Sequence, residues 1–344
     1  MKTLLHLFVL SLVTTTGCKP TNTATNSTPT LDTLSLNLPS SASFRGIDGI
    51  NNQVWLAGSN SEVWVHNTKT KVFNNVLPFN DSEIQFRDVA VLGADTAIVM
   101  TAGFPAMLLK TTNGGVSWDT TLQDTNAAAF FDGLAFQNNK QGVLFGDPVN
   151  KKLQVFFTND GGNTWTQDSS SQLNLLNPIE AGFAASGTSI TYQNNQVHIG
   201  LGGTQARIFS KTIGESWEIS NTPMTQGGGS KGIYSLAILE SNMIAVGGQY
   251  DNPSDDSTRC FTIDYGKTWQ LGTGVNEYRS CVVFINNKET LACGPNGIDI
   301  SNDQGATWQK ISDLGLHTIY WDTNTQTGYG SGANGRFYQL TINN

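Results

Sequence analysis

Six side chains able to hold charge or donate a proton recur at one register of this chain. They are Arg45, Arg87, Asp132, Tyr234, Arg279 and His317, with Glu180 beside Ala181 at a seventh position. Each position stands two residues ahead of an apolar one: Ile47, Val89, Leu134, Phe183, Leu236, Cys281 and Ile319. Arginine takes carboxylates and phosphates in bidentate fashion, so three of them around one opening attract an anion. The same residues also suit pure scaffold, where Arg–Asp pairs and trapped water knit strands together. Charged residues are 13% of the chain, which makes the concentration notable under either reading.

A second pattern marks the strands that must position them. The frame Ser/Thr-x-Asp-x-Gly-x-Ser/Thr-Trp occurs at residues 158–165, 262–269 and 301–308. It returns at 111–118 and 210–217, with Asn113 and Thr212 in the aspartate position. A short polar side chain there can bond amides two residues on, while Gly115, Gly162, Gly214, Gly266 and Gly305 supply positive φ. The tryptophan starts the next strand and packs its apolar face beneath the turn. Asp160, Asp264 and Asp303 therefore read as turn chemistry, not catalysis.

Successive tryptophans of the frame lie 39 to 52 residues apart. That period, with many short strands, predicts the blades of an all-β propeller. Blade one is expected at 44–47, 54–58, 62–66 and 72–77, with Phe73 in place of the tryptophan. Blades two to six end on Trp118, Trp165, Trp217, Trp269 and Trp308. A seventh begins at 317–321 and stops one strand short, and the alternating stretch 34–38 is expected to close it and remove an open edge. A six-bladed ring with a trailing appendage is the alternative.

The frame resembles the BNR or Asp-box repeat of sialidases, sortilin-type receptors and the photosystem II assembly factor propellers. The last group is most similar, because the likeness extends between the boxes from about Phe44 onward. That resemblance implies a binding protein engaging a membrane-protein partner through an arginine-bearing face. A sialidase-like glycosidase is the alternative: such enzymes grip a carboxylate with three arginines and pair a tyrosine nucleophile with a glutamate. Two departures weigh against it. Phe44-Arg45 is followed by Gly46-Ile47 rather than Ile-Pro, and Arg87 and Arg279 stand in the wrong order relative to Glu180 and Tyr234. Asp-box repeats specify fold far better than function.

Blade topology puts loops between second and third strands on the same face as the ring, which adds Phe104, Asp147, Gln249 and Tyr250 as candidates. The acidic loop from Asp251 to Asp256 reads as solvated rather than as a calcium site. His6, His66, His198 and His317 are scattered, without metal-ligand spacing, so neither metal nor cofactor is expected.

The first residues read as an address. Lys2 precedes an apolar run, 4–13, too short for the roughly 20 residues of a membrane span. Thr15-Thr16-Gly17-Cys18 resembles a bacterial lipobox, departing from it at Thr15. Residues 1–17 are thus expected to be a lipoprotein signal peptide, Cys18 the lipidated residue, 18–30 a polar tether and 31–344 one propeller. Plain secretion is the alternative. The location implied is the bacterial cell envelope, facing periplasm or surface. Partners expected are an envelope or membrane protein, or an anionic glycan. A net charge of −8 argues against nucleic acid. Cys281 and Cys293 would stand opposite each other in a hairpin, either bridged or as free buried thiols.

Overall fold

The computed structural model describes residues 29–76, 78, 81–174, 180–252 and 256–343. The expected signal peptide, Cys18 and nearly all of the tether lie outside the described residues, as does part of the acidic loop (253–255).

The described residues form seven sheets, the blades of a propeller, antiparallel except where Thr273–Gly274 runs parallel to Thr307–Ser312. Their innermost strands are Phe44–Ile50, Phe86–Gly93, Phe131–Phe136, Ile190–Gln193, Gly228–Leu239, Cys281–Phe284 and Thr318–Asp322. Each packs against the next, and the seventh packs against the first, so the ring closes without an appendage. The six-bladed alternative is excluded.

Packing explains why second strands read as unbroken apolar runs. Residues 54–57, 97–100 and 243–246 are buried throughout, because neighbouring blades cover both faces of each sheet. Seven apolar clusters accordingly lie between the blades, one at each blade-to-blade contact, and an eighth, around Tyr234 and Tyr278, lies at the mouth of the ring. Trp118, Trp165, Trp217, Trp269 and Trp308 each sit between their own blade and the preceding one. Phe73 fills that place for blade one, against blade seven.

The turn ahead of each tryptophan is built as a side-chain cap. Asp160, Asp264 and Asp303 accept the amide N–H of Thr164, Thr268 and Thr307 at 3.0, 2.9 and 2.8 Å. The threonine hydroxyls donate to the second carboxylate oxygen at 2.6 to 2.7 Å. The cap thus reaches four residues on, not two. Asn113 caps Ser117 in the same way at 3.0 Å, whereas at Thr212 the main-chain carbonyl takes the Glu215 amide. All five glycines have φ between 78° and 95°.

Blade seven borrows its outer strand from the start of the chain, as expected, but the bounds differ. The strand is Thr30–Ser35, pairing Thr30 with Asn343 through Ser35 with Tyr338. Asn37 then takes φ 49° and the chain turns inward, so Leu36 and Leu38 pack in the contact between blades seven and one. The apolar alternation at 34–38 therefore marks the exit from the strand rather than the strand itself.

Candidate binding site at the ring mouth

Arg45, Arg87, Asp132 and Tyr234 are equivalent residues. Each is the extra residue of a bulge in its innermost strand, falling between the paired residues 44/46, 86/88, 131/133 and 233/235. A bulge re-aims one side chain out of the ladder, here toward the mouth of the ring.

In blades two, five and six the residue after the ring position ties its blade to the next. Asp88 accepts the Leu134 amide at 2.8 Å, Ser235 the Val282 amide at 2.9 Å, and Cys281 Sγ the Ile319 amide at 3.4 Å. This repeat fixes the register in blades six and seven. His317 is in the ring, as expected. In blade six the ring residue is Ser280, and Arg279 is one residue out, because Val282 rather than Cys281 matches Leu236.

Arg279 is correspondingly withdrawn. It is fully buried and donates to Asp299 at 2.7 Å and to Glu277 at 3.1 Å, while Arg259 holds the other Asp299 oxygen at 3.1 Å. The three-arginine grip of the sialidase alternative therefore does not assemble at the mouth. Glu180 is also buried, paired with Arg207 of blade four. Gln249 ends the second strand of blade five, opposite Lys231, and does not line the mouth.

Blade four breaks the pattern. Its innermost strand begins at Ile190, so Ala181 and Phe183 belong to a strap, residues 180–188, that runs across the mouth. Ala181 and Gly202 exchange two main-chain bonds, and Gly182 N–H donates to Asp147 at 3.1 Å. Arg87 donates to the Ala184 carbonyl at 3.3 Å and Arg45 to the Ala185 carbonyl at 3.1 Å. Ser186 Oγ reaches the Ser280 carbonyl at 2.6 Å, on the far side of the ring. A glycine-punctuated stretch without strand alternation (181–188) was the available sequence signal.

Above the strap lies an open depression of about 470 Å³. Arg45, Arg87, Ser280 and His317 form its polar side; Phe183, Tyr250, Tyr278 and Pro295 form an apolar side. Phe183 stacks on Tyr234 with ring centres 3.9 Å apart, and Tyr278 meets Tyr234 edge-on at 4.8 Å. Tyr234 and Tyr278 are buried, whereas Tyr250 is 58% exposed at the rim. Phe104, 64% exposed, lies outside the depression.

Among the described residues no acid lines this depression. Arg45 and Arg87 have no ion-pair partner among the described residues; Arg87's second contact is Gln85 at 3.0 Å. Burial lowers the Arg45 pKa, with Tyr278 acting in the opposite direction. Arg87 is pushed down to about 10, by burial first and the Arg45 charge second. Both directions report positive charge held without a counter-ion.

Acid–base chemistry fits the site poorly. His317 Nε2 meets Ser43 Oγ at 3.2 Å, but burial and then the charges of Arg45, Arg87 and Arg336 hold the imidazole pKa down to about 3. Such a ring is neutral and a weak base. Tyr234 donates to the Ser230 carbonyl at 2.8 Å, and burial drives its pKa upward, away from a nucleophile's range. Asp132 is not at the surface: it lies buried beside Asp147, under the strap. No cluster of three potential metal ligands occurs among the described residues. Cys260, Cys281 and Cys293 are free thiols; Cys281 and Cys293 do face each other across the hairpin.

No protein-family profile matches this sequence, and no curated protein matches it. Among solved structures the chain is similar to YCF48 from Cyanidioschyzon merolae, with TM-score 0.64 and 15% identity over 90% of this chain and 98% of that one. YCF48 bound to a D1 peptide gives 0.64 and 15% over 90% and 96%. U3-55K gives 0.63 and 12% over 90% and 98%. At such identities the likeness establishes the fold: the chain is a seven-bladed β-propeller.

Proposed function

We propose that this chain is a non-catalytic docking propeller that holds an acidic stretch of a partner protein in the Arg45–Arg87 depression. One observation carries the reading. Arg207, Arg259 and Arg279 each meet an acid of their own chain, whereas Arg45 and Arg87 end on main-chain carbonyls in an open depression that no acid lines among the described residues. Leaving two partly desolvated guanidinium groups without a counter-ion costs stability that a bound carboxylate restores. The exposed Tyr250 beside them offers the aromatic anchor common at protein interfaces. A solved YCF48 structure holds a D1 peptide, which supports peptide docking as a use of this fold.

The repeated turns are read as Asp boxes on their sequence frame and cap geometry. The leader is read as a lipoprotein signal with Cys18 lipidated, placing the disc in the bacterial cell envelope with a membrane or envelope protein as client. An anionic glycan is the competing ligand.

Capture from gently solubilised envelope membranes tests this, with the anchored native chain beside an Arg45→Ala/Arg87→Ala double variant of unchanged thermal unfolding. A protein held by the native chain and lost by the variant is the expected result. Equal capture by both forms, or capture by neither, overturns it; glycan arrays then test the competing ligand.

A further inference from the structure

The strap under the two arginines is seated on a pair of buried carboxyl groups. Asp132, the bulge residue of blade three, is 1% exposed and converges on Gly182 with Asp147 of the same blade's second strand, Gly142–Val149. Neither Asp132 oxygen has a protein donor at full hydrogen-bond geometry, while Asp147 Oδ1 accepts the Gly182 amide at 3.1 Å. Gly182 sits so close that a methyl group on it would lie 2.5 Å from the Asp132 carboxylate. Two residues further, the Ala184 and Ala185 carbonyls receive Arg87 and Arg45. A hydrogen bond between two carboxyl groups requires a proton, because adjacent buried like charges cannot both persist.

We propose that Asp132 and Asp147 share one proton, and that this proton positions the strap and, through it, the guanidinium groups of Arg45 and Arg87. The proton resides on Asp132, which donates to Asp147; Asp147 keeps its charge and holds the Gly182 amide. Burial, followed by the Asp147 charge, favours the protonated form of Asp132, against the pull of the Ala184 amide. Other groups face the strap: Glu180 at its root is paired with Arg207 of blade four, and Arg87 and Arg45 end on its carbonyls. Asp88, packed against Gly187 and accepting the Val89 and Leu134 amides, is pushed up to about 8 chiefly by burial and is the same in both forms compared below. Loss of the proton places two negative charges under Gly182 and unseats the strap. Asp132 and Asp147 are thus positioning residues for the docking site proposed above. The proposal rests on that reading for its purpose, not for its geometry.

Amide exchange at Gly182 and Ala184, followed against pH in the full chain, tests it. The comparison is Asp132→Asn, whose amide donates to Asp147 at every pH. From the ordinary aspartate range at about pH 4 up to the pH at which the seated pair gives up its proton, strap protection in the native chain should fall about tenfold per pH unit beyond the intrinsic rise in exchange, and level off above it. The variant should lack this excess slope. Identical profiles overturn the proposal. Should the variant fail to fold, the carboxyl-carbon resonances of the native chain decide. One neutral acid in the pair at about pH 6, where ordinary aspartates are ionised, supports it; two ionised groups overturn it. A strap that titrates in a chain that captures no partner overturns the docking reading alone.

Discussion

Arg45 and Arg87 reach one strap of main chain from two different blades, ending on the carbonyls of Ala185 and Ala184. Arg279, one residue from the ring in blade six, shares Asp299 with Arg259 instead. Arginines in the same part of one fold thus do two jobs, and mutation should separate them.

Replacing Asp299 with Ala leaves two fully buried guanidinium groups short of their acid, and should cost about 3–5 kcal/mol. Replacing Arg87 with Met removes a partly exposed charge that repels Arg45, and should change stability by less than about 1 kcal/mol. Urea unfolding at neutral pH, with unchanged m-values, checks both. A large loss on Arg87→Met would mean that the ring arginines are scaffold.

His317 should stay neutral well into acid. Its folded-state pKa, about 3, lies below the ordinary 6.5. The sign follows: stability owed to this group is complete above about 6.5 and is lost as pH falls toward about 3. Long-range nitrogen–proton spectra at about pH 5 should show an uncharged ring. An imidazolium signal there would place His317 in contact with solvent or an acid.

Cys281 does for blade seven what Asp88 does for blade three and Ser235 for blade six: it accepts a main-chain amide of the neighbouring innermost strand. The Cys293 thiol donating to it holds its pKa down to about 7. Cys281→Ser keeps an acceptor and should be nearly neutral in stability. Cys281→Val leaves the Ile319 amide buried without a partner and should cost about 1–3 kcal/mol. Equal stability of the two variants would mean that the sulfur serves as packing alone.

The turn carboxylates act as caps, and exchange should show it locally. The Thr164 hydroxyl and amide, bonded to Asp160, hold its pKa down to about 2. Asp160→Ala should speed amide exchange at Asn163 and Thr164 while leaving the turn at Asp303 unchanged. Global loss of protection would mean that the turn supports the whole ring.

Much of the fold was legible because its signals are local. A five-fold turn frame gives blade number and period, and Phe73 in the tryptophan's place extends the count to blade one. The strand borrowed from the N-terminus followed from an edge that had to be covered. The ring was legible where its residue falls at the same offset from an apolar one, as at Arg45, Arg87, Asp132, Tyr234 and His317. It failed at Arg279 and Glu180. In blade six the offset shifted by one, since Cys281 passes for an apolar core residue while serving as a hydrogen-bond acceptor. In blade four a strap took the place of a strand entry, and nothing in local alternation says that a segment will cross the ring. Tyr278, Phe183 and Ser280 entered the site through those same two departures.

Pairing Thr30 with Asn343 also puts a clock on the molecule. The two strands are separated by roughly 300 residues of synthesis, so at about 5–20 residues per second the first waits roughly 15 to 60 s for its partner. Until then Phe44, Val54 and Leu56 of blade one lie uncovered, because Tyr329 and Phe337, which cover them, have not yet been made. The interval in which this chain is most exposed to aggregation is therefore set by the distance along the chain between these two strands, and it closes when Phe337–Asn343 emerges.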